Sequence, residues 1–306
     1  MELVAARSFT VWCARHSEMS RSRPSALVRR GLKVAWSLLL LGGGGFLLLS
    51  LATAEEWRAA WAAGLGVGAP VLVLLALPAV SHFIKMLGWR ALLPREHRPP
   101  LSRAYAAFVA AQGVNELGFS VLGEPLKVMV LSAEGRAAGV KAVVTDNLAA
   151  LAALFAVIAT LAQLGVAALP VLALSLIILR RMQSERLSGV LTAFLAHYLG
   201  KMWLLVELGL GLHFLGQPSL VATGQLALAC LGAAAVGAPV PGQLGVVEAA
   251  LLHAGGMLGI ATSSLVTLAL IRRLRSLLWI AIGFALAIRI TRHKTGEEQH
   301  VSTALA

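Results

Sequence analysis

Long runs of this chain are apolar on every side, as in Val71 to Val80 and Leu148 to Leu161, with neither the alternation of a half-buried strand nor the polar face of a surface helix. A helix that crosses the hydrocarbon of a bilayer needs roughly 20 mainly apolar residues. Stretches of that kind lie near 36–54, 69–93, 142–163, 166–180, 189–214, 218–238, 239–258 and 263–290. Transmembrane barrel strands would instead alternate over about ten positions. The pattern predicts an all-α, polytopic integral membrane bundle of about eight spans, with one or two broken or re-entrant segments.

Two breaks stand out because each joins helix-breaking residues to a carboxylate inside apolar sequence. The first is VLGEPLKVMVL around Glu124, and the second is PVPGQLGVVEAALL around Glu248. Interrupted hydrophobic segments in corresponding parts of two halves are the strongest sequence pointer to a transport site. Setting Leu122-Gly123 against Leu244-Gly245 aligns an apolar piece, a glycine turn and a charged span in both, a weak internal repeat. The expectation is that the two breaks meet at one central site. For 239–258, Pro239, Pro241, Gly242 and Gly245 leave both a crossing and a hairpin open, and the short segment 166–180 shares that ambiguity.

Composition excludes a soluble globular surface: 58% of the 306 residues are hydrophobic, 13% are charged, and the mean hydropathy is +0.81. The net charge of +12 raises the question of nucleic acid. The basic residues, however, sit in short loops and tails with no interleaved aromatics. Arg21, Arg23, Arg29, Arg30 and Lys33 precede the first span, while Arg90, Arg95, Arg98 and Arg103 follow the second. Arg180, Arg181 and Arg186, and then Arg289, Arg292 and Lys294, complete the set. By the positive-inside rule these loops and both termini are cytoplasmic. The chain divides into a basic tail over 1–34, a membrane domain over 35–290 and a polar tail over 291–306. The run Trp36 to Leu51 followed by Ala52-Thr53-Ala54 also permits a cleaved signal peptide, and Met19 an alternative start. Cys13 and Cys230 lie too far apart in sequence and setting to imply a disulfide or metal framework.

Ionisable groups inside membrane segments are costly and are site candidates by default. Glu124 and Lys127, three residues apart, share a helical face after Pro125 and could neutralise one another, either in a site or as an interfacial pair. Gln112, Asn115, Gly118 and Gly123 make the backbone before them polar and irregular, as in a re-entrant hairpin. Asp146, with Asn147 beside it, needs a cation, and Arg272 or Arg273 in the last span is the expected partner. Arg272, Arg273 and Arg275 would leave positive charge over for an anionic headgroup. Glu248, in the first turn after Gly245, either caps its helix or binds. His197, Lys201, Glu207 and His213 read as internal pairs or anchors, and His253 as a core histidine.

LGEPLKVMVLSAEGRAAGVKAVVTDNLAALAAL and PVPGQLGVVEAALLHAGGMLG, followed by IRRLRSLL, resemble the two signatures of the lysylphosphatidylglycerol synthase transmembrane-domain family. That flippase-like family includes the translocating half of the multiple peptide resistance factor. The resemblance runs from the first span onward and is most specific at Pro241, Gly242, Gly245 and Glu248. It implies an inner-membrane protein that moves a lipid between leaflets, with Glu124, Asp146, Glu248 and Arg272 or Arg273 at the family's polar positions. The chain departs from the pattern at Lys127, where the family has Arg, at Gln243, where it has Gly, and at Phe119-Ser120-Val121, where Pro-Gly stands before Gly123.

The resulting expectation is a protein that is not an enzyme, uses no cofactor or metal, and translocates a phospholipid or other lipid-linked polar headgroup. Its candidate residues are Glu124, Lys127, Asp146, Asn147, Gly242, Gly245, Glu248, Arg272 and Arg273. The partners are membrane lipids with anionic or aminoacylated headgroups, not nucleic acid, and a lipid-modifying enzyme or a second copy could accompany it. No nucleotide-binding loop or hydrolase motif is present, and no aminoacyltransferase domain follows residue 295. The alternatives are a membrane-embedded enzyme acting on a lipid-linked substrate and a non-catalytic subunit of a lipid or glycan synthesis pathway.

Overall fold

The computed structural model describes residues 68–117, 122–163, 187–237 and 245–304, Gln243 and isolated positions between 55 and 66, with side chains to Arg292. The tail over 1–34, the candidate spans 36–54 and 166–180 and the site candidate Gly242 lie outside the described residues. Those described form helices without a strand. Four stretches, 69–92, 136–161, 187–214 and 262–292, are long and apolar enough to cross a bilayer, which fits a membrane protein.

The first of these consists of α1 (Ala69–Ala76) and α2 (Pro78–Leu92). Pro78 cannot donate to the helical ladder, but Leu77 keeps right-handed helical angles, so the chain bends without ending. Carbonyls at the bend find other donors. The indole N–H of Trp279 donates to Leu75 O at 2.9 Å and that of Trp203 to Leu77 O at 3.0 Å, while Tyr105 Oη donates to Ala79 O at 3.2 Å. Helix α2 stops before Pro94, and Arg98 closes its end by donating to Ala91 O and Leu93 O.

Helix α3 (Leu101–Leu117) is followed by α4 (Glu124–Met129) and then by α5 (Arg136–Leu161). Helices α6 (Leu187–Phe214), α7 (Leu220–Val236), α8 (Val246–Met257) and α9 (Thr262–Ala304) complete the order. The expected span 218–238 is therefore α7, of 17 residues, and the described part of 239–258 is α8, of 12. At 1.5 Å per residue these are about 26 and 18 Å long, short of a hydrocarbon core of about 30 Å. At the other end, α9 continues through 291–304, with no break at the expected tail boundary.

One order of elements occurs twice. A long helix is followed by a 17-residue helix, a short helix with a glutamate in its first turn, and a second long helix, first as α1–α2, α3, α4, α5 and again as α6, α7, α8, α9. The two sets interlock, with α2 against α6, α3 against α9 and α7 against α5. Close crossings depend on small residues. A methyl group added at Gly88 would stand 2.8 Å from Ala196 Cβ, and one at Gly113 would stand 2.8 Å from Gly283 Cα.

Candidate functional site

The first break is tied down by side chains from three directions. Asn115, near the end of α3, accepts from the N–H of Gly123 at 2.6 Å and donates from Nδ2 to Glu124 Oε1 at 2.9 Å. Lys127 Nζ lies 2.9 Å from Glu124 Oε2 and 3.0 Å from Asp146 Oδ2. It also sits 4.6 Å from the centre of the Phe108 ring. The second oxygen of Asp146 takes His197 Nε2 at 2.7 Å. All four ionisable groups are buried. The cation for Asp146 is thus Lys127, with His197 opposite, and the expected bridge to Arg272 or Arg273 is not formed. Docking α4 against α5 brings Lys127 to the carboxylate, whereas Arg273 is turned toward Glu248. Asn147, next to Asp146, is half-buried.

At the second break Gly245 has a φ of +79°, a left-handed conformation suited to glycine. Its N–H donates to Glu248 Oε2 at 3.0 Å. Arg273 of α9 donates to the other oxygen. Glu248 therefore closes the free N-terminal end of α8 and holds that end against α9. Among the sequence candidates, Glu124, Lys127 and Asp146 come together, Gly245, Glu248 and Arg273 form a second group, and Arg272 joins neither. Arg272 borders a void of about 10 Å³ with Glu207 and Arg275, and its Nη1 is buried without a hydrogen-bond partner among the described residues.

Separate from both groups is a partly open cavity of about 220 Å³. Ser81, His82 and Lys85 of α2, Gln112 and Glu116 of α3, Lys201 and Glu207 of α6, and Arg275 and Ser276 of α9 contribute polar groups. Pro78, Gly200, Leu204, Leu231 and Trp279 complete the wall. Residues 200–207 are midway along α6, and 275–279 are midway along the 262–292 stretch. Neither Glu124 nor Glu248 lines the space. Each acts one link away, since Asn115 precedes the lining Glu116 and Arg273 stands two residues before Arg275.

The cavity carries three formal positive charges against two negative ones. Arg275 is bonded to Glu207. Glu116 is hydrogen-bonded to Ser276 beside it in the wall, whereas Lys85 and Lys201 form no hydrogen bond or ion pair among the described residues. The stem of Lys85 crosses Gly200 so closely that a methyl group there would lie 2.6 Å from Cε. Ser81 Oγ, one turn earlier on α2, donates to Gly200 O at 3.0 Å. Such a space can hold an anionic group against ammonium ions and offers a carboxylate for a donor on the same molecule.

Sequence reasoning did not single out Lys85 and Glu116. Lys85 stands close to a basic loop and passes for one of its members. The available signal was spacing: Pro78, Ser81, His82 and Lys85 place polar or breaking residues on one face of an apolar helix. His197 and Glu207 are internal pairs as expected, whereas His213 and His253 are exposed and His253 is not in a core. Buried Cys230 forms no disulfide, and the described residues contain no cluster of His, Cys, Asp or Glu that could hold a metal. No protein-family model, curated protein or solved structure matches the chain.

Proposed function

We propose that this chain is a multi-pass inner-membrane protein, with both termini cytoplasmic, that moves the polar headgroup of a phospholipid or other lipid-linked molecule between leaflets. The observation that carries this reading is the charged cavity halfway along helices long enough to span a bilayer. An ionised Arg, Lys or Asp at a bilayer centre costs about 2.5–3.5 kcal/mol on insertion scales. Five ionisable groups, Lys85, Glu116, Lys201, Glu207 and Arg275, converge on one such space. A chain selected for stability alone would fill it with apolar side chains.

The cavity volume favours a headgroup over a whole lipid. About 220 Å³ falls below the 300–1,000 Å³ of pockets that enclose drug-sized ligands. Acyl chains stay in the bilayer while the headgroup passes. The α3–α4 and α7–α8 pairs act as re-entrant hairpins, and the repeated helix order is that of transporters built from two related halves around a central site. The resemblance to the flippase-like membrane-domain family supports the same activity, with Glu124, Asp146, Glu248 and Arg273 serving as braces of the site. A drive would come from ions, membrane potential or mass action.

The test is headgroup translocation in liposomes containing purified protein, followed with fluorescent phosphatidylglycerol, an aminoacylated phosphatidylglycerol and an uncharged lipid. Wild type should accelerate exchange of at least one phosphate-bearing lipid over empty liposomes, and Glu248→Gln and Arg273→Ala, which break the second brace, should reduce it in folded protein. No acceleration with any of them, despite correct insertion, would favour an enzyme or scaffold instead.

A further inference from the structure

We propose that Lys85 and Lys201 form the oxyanion-binding site of the cavity, taking a phosphate-type group between their ammonium ends, with Glu116 facing a hydroxyl or amine of the same ligand. The proposal rests on the translocation reading for its biological use but not for its chemistry.

Three observations carry it. Both lysines line one cavity, and neither forms a hydrogen bond or a close ion pair with a carboxylate among the described residues, although Glu116 and Glu207 stand in the same wall near Lys85. Glu207 is held by Arg275, so its charge is already matched. The bland alternative, in which each lysine extends to the interface, fails for Lys201. It stands near the middle of the 28-residue α6, with about 20 Å of helix on either side, beyond the reach of a four-carbon stem.

The geometry of Gly200 provides the third observation. Its lack of a side chain lets the Lys85 stem pack directly on α6 at the residue that precedes Lys201. The two ammonium groups are close enough to repel one another, and an oxyanion taken between them relieves that repulsion. A phosphodiester in a lipid headgroup and free phosphate share this chemistry, and either source would be read by the same two lysines.

The experiment measures binding, not transport. Purified full-length protein in a zwitterionic detergent is titrated with dioleoylphosphatidylglycerol, with dioleoylglycerol, which lacks the phosphate, and with inorganic phosphate. Thermal shift and native mass spectrometry supply the readouts. Phosphatidylglycerol should bind saturably, and Lys85→Met/Lys201→Met should weaken it by about tenfold or more. Because this variant removes two unpaired charges, its unliganded Tm should equal or exceed that of wild type, which a structural role for the lysines would not give. Lys201→Gln alone carries the same test if the double variant does not fold, and Lys85→Arg/Lys201→Arg should restore most of the affinity.

Displacement of the lipid by inorganic phosphate would assign the site to the oxyanion itself, while lipid binding unaffected by phosphate would assign it to a headgroup delivered from the membrane. Phosphatidylglycerol binding by the double variant within about twofold of wild type, or equal lysine-dependent binding of dioleoylglycerol, would overturn the proposal. Lysine-dependent binding without any liposome translocation would leave this site standing and remove the transport reading. Translocation that survives the double variant would do the reverse.

Discussion

Lys127 is the residue on which the first break depends. It is buried between Glu124 and Asp146, so its removal leaves two carboxylates facing each other without their cation. Lys127→Met should cost about 3–5 kcal/mol, the usual penalty for breaking a buried ion pair from one side. Denaturant unfolding in detergent would measure it, and Lys127→Met/Asp146→Asn should lie closer to wild type than the sum of the two single changes. The pairing of Glu124 with Lys127 was legible because three residues of helix put both on one face. The partner of Asp146 was not legible. It depends on how α4 docks on α5, and of the three arginines on α9 Arg273 and Arg275 are taken by Glu248 and Glu207.

Helices rather than strands, and breaks at Glu124 and Glu248, follow from sequence because helix breakers inside apolar runs leave few ways to satisfy a backbone in lipid. Where the breaks point is a matter of packing. Gly123 passes so close to α3 that a methyl group would stand 2.0 Å from Ala111 O. That contact is with backbone and cannot yield by a rotamer change, so Gly123→Ala should lower Tm by several degrees or prevent folding. Gly113→Val should separate α3 from α9, because the added side chain meets Gly283 and the α9 backbone. Gel filtration and thermal unfolding of each variant would check both expectations. Gly200→Ala is of another kind, since the methyl group meets a side-chain stem. It should keep the fold, displace Lys85 and reduce phosphatidylglycerol affinity severalfold in the same binding titration.

For the whole molecule, the repeated order of helices explains why one cavity draws on α2, α3, α6, α7 and α9. The lining comes from the long helices and the two 17-residue helices, and none of it from α4 or α8. The two sequence signatures hold those short helices in place through Asn115–Glu124 and Glu248–Arg273. Their carboxylates therefore brace the site, which is why the motifs were visible in sequence while the lining was not. The most direct test is the rate of phosphatidylglycerol headgroup exchange in liposomes, compared between wild type and Glu207→Gln, which frees Arg275 inside the cavity without touching either brace. Wild type should exceed empty liposomes, with the folded variant slower by about tenfold. Equal rates in the two proteins would place the path of the headgroup elsewhere, and no exchange by wild type with any phosphate-bearing lipid would contradict translocation itself.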